Sequence, residues 1–253
     1  MGNKYRKNYL TQVIARIDFL SPLSSLQEAL PAAVGEVSTR FFPIPEPKEI
    51  VGREFWISSE TKQVNEKDII TKEWHFFGKR REKRLVITRE FMFVEFKVYE
   101  SFDDFRTHFI GISDGLFGTF DDLQVKRLGL RYINNIEVPG PNKFSWNAYL
   151  NRNLLSILNI PADKAKIARA FNNLDLNLGD FTLRFQYGMH NPDYPAPIRK
   201  KIFVLDYDAY TTGLLTKEEI HQTLPILHDE IEQLFEKSIT DKLRGIMDVE
   251  RQR

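Results

Sequence analysis

The chain has 253 residues, with 36 lysines and arginines against 35 aspartates and glutamates, so its formal charge is only +1. A nearly neutral surface does not attract nucleic acid or anionic lipid as a whole, so such a partner would need a local basic patch. The chain has no cysteine, which excludes disulfides, thiolate metal sites and cysteine nucleophiles and fits a reducing cytosol.

The sequence contains no run near the roughly 20 apolar residues of a membrane-spanning helix, and its polar start lacks the apolar core of a signal peptide. We therefore expect a soluble, cytoplasmic protein. Aromatic residues make up 13% of the chain, and 20 of them are phenylalanines. Broad sheets packed on helices are the expected reason, ahead of a base-stacking or lipid-binding surface.

In the first half, apolar alternation predicts a strand over 10–19. A helix opening at Ser21 is expected to bend or start late, because Pro31 and Gly35 interrupt its apolar stripe. Ser101 is the expected N-cap of a second helix, with an apolar stripe to Leu116. The further strands predicted in this half cover 54–59, 70–77, 84–88 and 91–99.

In the second half, the same patterns predict a long strand over 123–138 and a helix over 147–158. Three more strands are predicted over 166–176, 180–187 and 198–206. Thr216 and Glu219 form a capping box for the last helix, whose apolar stripe continues to Ile246. Pro225 predicts a kink or a local break in that helix.

Apart from the extra strand over 54–59, each half thus reads strand, helix, three strands, helix, over about residues 9–120 and 122–248. The sequence predicts an α+β fold of two βαβββα-like units, with mostly antiparallel sheets and helices packed on one face. We expect the halves, 1–120 and 121–253, to form one compact structural unit. The internal duplication is inferred from element order, because the two halves share little sequence.

The segment 127–134 reads RLGLRYIN, which would place Arg127, Gly129 and Arg131 on one strand face and Tyr132 and Asn134 on the other. Two arginines on one face could bind a phosphate or carboxylate, with Gly129 admitting a close ligand or backbone. Alternatively, the arginines pair with acidic side chains across the two halves, and Gly129 lets a helix pack closely. We favour the second interpretation and keep Arg127, Arg131, Tyr132 and Asn134 as candidate ligand or partner contacts.

Asp206 and Asp208 follow an apolar strand and should project to one side about 7 Å apart. Carboxylates in this arrangement can bind Mg²⁺ or Mn²⁺ in phosphoryl-transfer enzymes. The same pattern is also a common strand ending, and the sequence has no glycine-rich phosphate loop. A third carboxylate, such as Asp180 or Glu218, can only be nominated.

The five histidines include no pair spaced as two ligands of one zinc ion on a helix. His221 and His228 share a helix face but are about 10 Å apart. We therefore expect them to form hydrogen bonds at the helix surface or at the edge of the core. No sequence context indicates a catalytic triad.

Two loops are candidate contact regions. Residues 188–197 hold His190, Tyr194 and three prolines, and a long stiff connection of this kind suits a binding tip, although it can also be a plain long loop. The other is a basic hairpin turn, which is a possible nucleic-acid contact but more often a solvated turn that protects a sheet edge. Its basic residues are Lys79, Arg80, Arg81, Lys83 and Arg84.

The RLGLRYIN block resembles a segment of a sporadically distributed, uncharacterised prokaryotic family known only by a placeholder name. Two further regions are similar to that family, so the resemblance spans most of the chain. They comprise Tyr5, Lys7, Asn8 to Ile14, Ile17 and Phe19, and later Leu205 to Asp208, Leu227, His228, Ile231, Phe235, Ile239 and Thr240. The resemblance implies no activity, and the family's patchy occurrence suggests an accessory or defence-related role.

We expect a non-catalytic binding or regulatory protein without a cofactor, whose partner is another protein. One alternative is a metal-dependent phosphoryl-transfer or nuclease-like enzyme using Asp206 and Asp208, with Arg127 or Arg131 on the substrate phosphate. Another is a carrier of a hydrophobic small molecule, enclosed between helices and an aromatic sheet. Homodimerisation through a sheet edge or the last helix stays open.

Overall fold

We describe a computed structural model of the chain over residues 4–57 and 64–250. Within these ranges the strands are, in chain order, β1 (Lys4–Tyr5), β2 (Leu10–Phe19), β3 (Ile44–Pro45), β4 (Lys48–Ile57), β5 (Val64–Phe77), β6 (Lys83–Ile87), β7 (Phe91–Phe96), β8 (Val125–Glu137), β9 (Ala170–Asn177), β10 (Thr182–Met189), β11 (Ile202–Leu215) and β12 (Val249–Glu250). The α-helices are α1 (Ala32–Phe41), α2 (Phe102–Phe117), α3 (Lys217–Ser238) and α4 (Asp241–Met247). Short 3-10 helices cover Ser24–Gln27, Arg152–Asn159 and Lys164–Lys166.

One antiparallel sheet contains every strand except β1 and β12, which pair with each other. Its order is β3-β5-β6-β7-β2-β8-β11-β10-β9, and β4 is attached through β5 alone. The fold is therefore α+β, as the sequence predicts. At the centre, β2 pairs with β8 and sets Ala15 opposite Leu130, so strands from the two halves of the chain are hydrogen-bonded neighbours.

The two halves use the sheet in the same way. The first half runs outward from β2 through β7, β6 and β5, and the second runs outward from β8 through β11, β10 and β9. A shared strand order does not establish a common ancestor of the halves. The internal duplication therefore stays a prediction.

Helices α2 and α3 pack on the same face of the sheet. The side chains of Phe105 and Phe109 from α2, and of Leu224 and Leu227 from α3, are buried in an apolar core that spans both halves. Every second residue of β2, from Val13 to Phe19, enters this core, which is the period-two pattern of a sheet with one covered face. None of the α-helices in the described residues packs on the opposite face of the sheet.

The starts of α2 and α3 form as their sequences predict. Ser101 caps α2 by accepting a hydrogen bond from the Asp104 amide (3.2 Å). Thr216 and Glu219 form a reciprocal capping box at the start of α3, with bonds of 2.7 and 3.2 Å. These side chains satisfy backbone N–H groups that a helix start otherwise leaves without partners.

The helix predicted over 147–158 is wrong. A 3-10 helix covers only Arg152–Asn159, and Asn151 caps it by accepting from the Asn153 amide. The preceding backbone is used elsewhere, because Leu150 forms a β-bridge with Ile239. A backbone engaged in a bridge to a distant segment cannot also complete the hydrogen bonds of an α-helix.

That bridge also explains where the last helix ends. The sequence predicted a kink or a local break at Pro225; helix α3 continues through Pro225 unbroken, and it ends at Ser238. Ile239 is extended and lies in the bridge to Leu150, after which α4 begins at Asp241. The single apolar stripe of the sequence therefore belongs to two helices.

Most predicted strands are confirmed with shifted ends. The strand predicted over 54–59 starts earlier, at Lys48, and its last two residues, Ser58 and Ser59, lie outside the described residues. The strand predicted over 198–206 begins at Ile202 and continues to Leu215, well beyond its predicted end.

Strands β4 and β5 form a two-stranded arm at one end of the sheet, which we call the β4–β5 arm. Their pairing runs from Lys48 opposite Glu73 to Ile57 opposite Val64. Several large apolar side chains on this arm are exposed, among them Val51 (65%), Phe55 (62%) and Ile57 (72%). Apolar side chains that are exposed together on a hairpin form a potential contact surface.

Candidate functional site

A row of charged side chains crosses the helix-free face of the sheet, and we call it the charged row. Strand pairing aligns one residue from each of seven adjacent strands. They are, in strand order, Arg84, Glu95, Ile14, Arg131, Asp208, Arg184 and Asp175. Apart from Ile14, opposite charges are neighbours along the row, which stabilises cross-strand pairs.

The arginines of the RLGLRYIN block contact aspartates on this face, as predicted by the interpretation in which they pair with acidic side chains. Arg131 donates from Nε and Nη2 to the two oxygens of Asp206, at 2.8 and 2.6 Å. Arg127 lies 3.6 Å from Asp18 of β2 and 3.9 Å from Asp208 of β11. Only Arg127 therefore pairs across the two halves.

The bidentate pair affects protonation on this face. Hydrogen bonding to Asp206 raises the pKa of Arg131, so this guanidinium stays charged at any ordinary pH. Burial raises the pKa of Asp208, and the nearby Arg127 and Arg131 oppose that effect. Within the row, Arg84 also lies 2.9 Å from Glu95, and Arg184 lies 2.9 Å from Asp175. The ions of the charged row therefore have partners in the row or beside it, which gives the row a structural role.

Gly129 does not pack against a helix, so the prediction that it lets a helix pack closely is wrong. It lies on the helix-free face, where the Arg127 guanidinium folds over it and would be 2.9 Å from an added Cβ atom. The same guanidinium stacks on Tyr210, 4.8 Å from the ring centroid. The glycine therefore makes room for the Arg127 side chain.

The metal site at Asp206 and Asp208 receives little support from this geometry. Both oxygens of Asp206 are already bonded to Arg131, and Arg127 is the neighbouring ion of Asp208. No histidine or carboxylate among residues 4–57 and 64–250 joins these two aspartates in a group of three that could surround an ion. A divalent cation would have to displace the arginines.

On the other face of the sheet, a pocket lies between the sheet and the helices. We call it the tyrosine pocket. Its volume is about 400 Å³. Its apolar and aromatic lining comprises Tyr5, Leu10, Tyr99, Phe102, Tyr132, Tyr207, Ile231, Phe235 and Met247. Its polar lining comprises Asn8, Glu100, Ser101, Asp103, Asn134, His228, Asp229 and Glu232.

Tyr132 and Asn134 of the RLGLRYIN block form part of this pocket. The hydroxyl of Tyr132 is hydrogen-bonded to Nδ1 of His228 (3.0 Å) and lies 3.3 Å from the hydroxyl of Tyr99. Asn134 donates to the Leu205 carbonyl (3.4 Å). Burial raises the pKa values of Tyr99 and Tyr132 well above the ordinary value, so both hydroxyl groups stay protonated and can donate hydrogen bonds.

His228 is held in the pocket wall by aromatic stacking. Its ring lies parallel to that of Phe102, with 3.9 Å between centroids and an interplanar angle of 6°. Burial lowers the pKa of His228 to about 4, although Asp229 and Asp103 oppose this. The ring is therefore neutral near pH 7.

Asp229 and Glu232 flank His228 on α3, and side-chain ligand atoms of the three residues lie within 4.8 Å of one another. Nε2 of His228 is 3.9 Å from Glu232. Exposed acidic groups commonly converge in this way without an ion. We therefore interpret the two carboxylates as an acidic wall of the pocket.

Short segments from both ends of the chain close the pocket. Strand β1 pairs with β12 beside α4, and the hydroxyl of Tyr5 donates to Glu236 of α3. Asn8 donates from Nδ2 to the Tyr99 carbonyl (3.1 Å). Residues near both ends of the chain and at the start of α2 thus complete a pocket whose other walls are β8, β11 and α3.

The structure places His190 and Tyr194 in a loop that does not line the tyrosine pocket. Both side chains are exposed, and the Arg169 guanidinium lies 4.4 Å from the Tyr194 ring centroid. Asn191 is buried beneath them and donates to the carbonyl groups of Ala168 (3.0 Å) and Ala196 (2.6 Å). The loop is internally braced, and its role in binding stays a prediction.

Most basic residues of the hairpin turn have partners within the protein. Arg81 pairs with Glu46 and stacks on Phe77, and Arg84 pairs with Glu95 (2.9 Å). Lys83 lies 2.7 Å from Nε2 of His108. Lys79 and Arg80 are exposed, so these two residues remain the main support for a nucleic-acid contact at this turn.

The hydrogen bond expected for His228 at the edge of the core is confirmed by its bond to Tyr132. Sequence reasoning did not place His228 in a pocket, and it did not single out three further pocket residues: Tyr99, Phe102 and Glu232. One signal was present, because His228 and Glu232 are four residues apart and therefore share a helix face. The pairing of His228 with Tyr132, 96 residues away in sequence, has no local signature.

Comparisons with known proteins assign no family to the chain. No protein-family model matches it, and a search of curated proteins finds no significant match. Within the described part of the chain, the helices are too short or too polar to cross a membrane.

Proposed function

We propose that the protein binds a small molecule in the tyrosine pocket and acts as a binding or regulatory protein. The observation that carries this proposal is the pocket itself, about 400 Å³ in volume and lined by aromatic rings and several convergent polar groups. That volume lies within the roughly 300–1,000 Å³ of typical ligand sites.

The protonation states in the pocket support binding over catalysis. The hydroxyls of Tyr99 and Tyr132 have raised pKa values because they are buried, so they are poor bases and poor nucleophiles near pH 7. They are suited to hydrogen bonding, which fixes the orientation of a bound molecule. The enzyme alternative is less well supported, because Asp206 and Asp208 already pair with arginines.

Filling the pocket tests this proposal. Leu10 lines the pocket, so Leu10→Trp should occupy part of its volume and abolish the thermal stabilisation that fragments from a small-molecule library give the wild type. A ligand at 100 times its Kd stabilises a fold by about 2.7 kcal/mol, which is a shift of several degrees at this chain length.

Leu20→Trp is the matched control, because Leu20 is 42% exposed and does not line the pocket. It should leave the fragment response unchanged. Fragments that stabilise both variants equally would show that the pocket is not the binding site. Circular dichroism should first confirm that each variant is folded.

A protein contact through the β4–β5 arm is a second candidate function, and we propose a second copy of this chain as the partner. A two-stranded hairpin is marginally stable by itself. This one exposes large apolar side chains, and among the described residues β4 has no partner strand other than β5. Glu49 and Arg53 lie four residues apart on one face of β4, so antiparallel pairing of two copies about Val51 would place each glutamate opposite an arginine. Arg53 also pairs with Glu66 and Asp68 of the same arm.

The oligomeric state tests whether the β4–β5 arm mediates dimerisation. We expect a dimer for the wild type in size-exclusion chromatography with light scattering, and a monomer for Val51→Lys and Phe55→Lys. Leu174→Lys, at an exposed position in β9 at the other end of the sheet, should stay dimeric. A monomeric wild type, or dimers of all three variants, would contradict a contact between arms.

We also keep the broader expectations from the sequence as proposals: a cytoplasmic location, prokaryotic origin, an internal duplication, membership of the family that the RLGLRYIN block resembles, and an accessory or defence-related role. The absence of cysteine supports a reducing location. A nucleic-acid partner has weaker support, because three of the five basic residues of the hairpin turn have partners within the protein.

A further inference from the structure

We propose that the ligand of the tyrosine pocket is a small organic cation, such as a protonated amine that carries an apolar group. This inference rests on the proposed binding function and names the chemical class of the ligand. Three properties of the pocket support it: its charge, its aromatic lining and a buried hydroxyl group without a partner.

The charge of the lining is strongly one-sided. Four carboxylates line the pocket, Glu100 and Asp103 at the start of α2 and Asp229 and Glu232 on α3. Among the described residues, no lysine or arginine lines it. On a chain whose net charge is only +1, such a concentration of acidic groups repels anions and attracts cations.

The aromatic lining fits a cation with an apolar group. Tyr99 and Tyr132 meet edge to face, with 5.7 Å between ring centroids, and Phe102 forms part of the same lining. The faces of such rings attract ammonium groups through their quadrupoles. Leu10 and Ile231 supply apolar surface, which a bare metal ion would not use.

The buried hydroxyl of Tyr207 indicates a missing polar partner. Tyr207 lines the pocket and is fully buried, and its hydroxyl group has no hydrogen bond of ordinary length among the described residues. The Ser238 hydroxyl is near and donates to the Leu234 carbonyl (2.7 Å), so it could only accept from Tyr207 and would leave the lone pairs of the Tyr207 oxygen without a donor. Buried polar groups without partners are rare, and the oxygen of Tyr207 could accept a hydrogen bond from an ammonium group.

The test compares probes that differ mainly in charge. 2-Phenylethylamine, 2-phenylethanol and 3-phenylpropionate share a phenyl ring on a short tether and are cationic, neutral and anionic at pH 7. We expect calorimetric titration to show that the amine binds at least about tenfold more tightly than the alcohol, which corresponds to about 1.4 kcal/mol. The carboxylate should bind more weakly than the alcohol. Choline and spermidine extend the cation set, and Mn²⁺ and Zn²⁺ alone test for a metal site.

Variants of the acidic wall test whether its carboxylates cause the preference for the amine. Glu232→Gln and Asp229→Asn should each weaken amine binding several-fold and leave the affinity for the alcohol unchanged. Glu230→Gln is the matched control, because Glu230 is on the same helix but does not line the pocket. It should behave as the wild type.

The outcomes separate this inference from the proposed binding function. If the alcohol or the carboxylate binds as well as the amine, and Leu10→Trp blocks that binding, the pocket is a ligand site but the preference for a cation is wrong. If Mn²⁺ or Zn²⁺ binds and the organic cations do not, the site is a metal site and the inference is again wrong. If no probe shows millimolar or tighter binding that Leu10→Trp abolishes, both proposals are overturned.

Discussion

Gly188→Ala is expected to destabilise the protein by at least about 3 kcal/mol, because two independent effects add at this position. Gly188 has a φ of +144°, where residues with a side chain are strained, and an added Cβ atom would lie 2.1 Å from the Ala170 carbonyl oxygen. Gly188 pairs with Phe171 of β9 and Val204 of β11. Relief of the clash therefore requires β9, the last strand of the sheet, to move away.

Gly213→Ala separates backbone strain from the clash. Gly213 has a similar φ of +133°, but nothing lies within 4 Å of its added Cβ atom. It occupies the register shift of β11 between Thr212 and Leu215, and we expect a cost of only about 1–2 kcal/mol from strain. Urea unfolding of the wild type and both variants measures the two values. Equal losses would show that the contact with Ala170 is not limiting.

Those two glycines show what a sequence does not predict. The period-two pattern of β2 predicted a strand over 10–19, and the structure has the same bounds. The capping sequences at Ser101 and Thr216 predicted the starts of α2 and α3. These signals are local, because each depends on residues within a few positions of one another. Neither the strain at Gly188 nor its proximity to Ala170 has such a local signal.

The failed helix over 147–158 has the same cause. Its apolar spacing is compatible with a helix, but the β-bridge of Leu150 to Ile239 and the bond from the Asn151 amide to the Ser238 carbonyl (2.9 Å) engage its backbone. Tertiary contacts therefore override local propensity there. The sequence contained no indication that residues 150 and 239 would meet.

The candidate site was likewise predictable only in its local features. Alternation along β8 correctly placed the two arginines of the RLGLRYIN block on one face and Tyr132 and Asn134 on the other. Acidic partners for the arginines were expected, but the pattern could not show which carboxylates these would be or that the tyrosine face would border a pocket. Those outcomes depend on Asp206 and His228, which are 75 and 96 residues away from their partners in β8.

Asp206→Asn is expected to destabilise the protein by about 1–3 kcal/mol, because it removes the charged partner of Arg131 and leaves a half-buried guanidinium without its bidentate acceptor. The side chain of Asp206 is 9% exposed and that of Arg131 is 40% exposed. Solvent therefore screens part of the uncompensated charge, and the cost stays below that of a fully buried pair. Chemical unfolding at pH 7 measures it.

Asp208→Asn is the matched comparison, and we expect it to change the free energy of unfolding by less than about 1 kcal/mol at pH 7. Its nearest ion is Arg127, at 3.9 Å, and burial raises the pKa of Asp208. A raised carboxyl pKa means that ionisation costs folding stability. The cost is absent below the ordinary value of 3.8 and complete above the raised folded-state pKa. The wild type should therefore gain stability relative to Asp208→Asn as the pH falls through that interval.

Repeating both unfolding experiments with millimolar Mg²⁺ or Mn²⁺ tests whether Asp206 and Asp208 serve as ion-pair partners of the arginines or as metal ligands. If the two aspartates are ion-pair partners of the arginines, the cation should stabilise neither the wild type nor the variants, because cation binding would require Arg127 and Arg131 to move away. Stabilisation of the wild type alone would mean that the arginines yield to a metal ion. The phosphoryl-transfer alternative would then regain its support, because Arg127 and Arg131, once released, would be free beside the ion to bind a substrate phosphate.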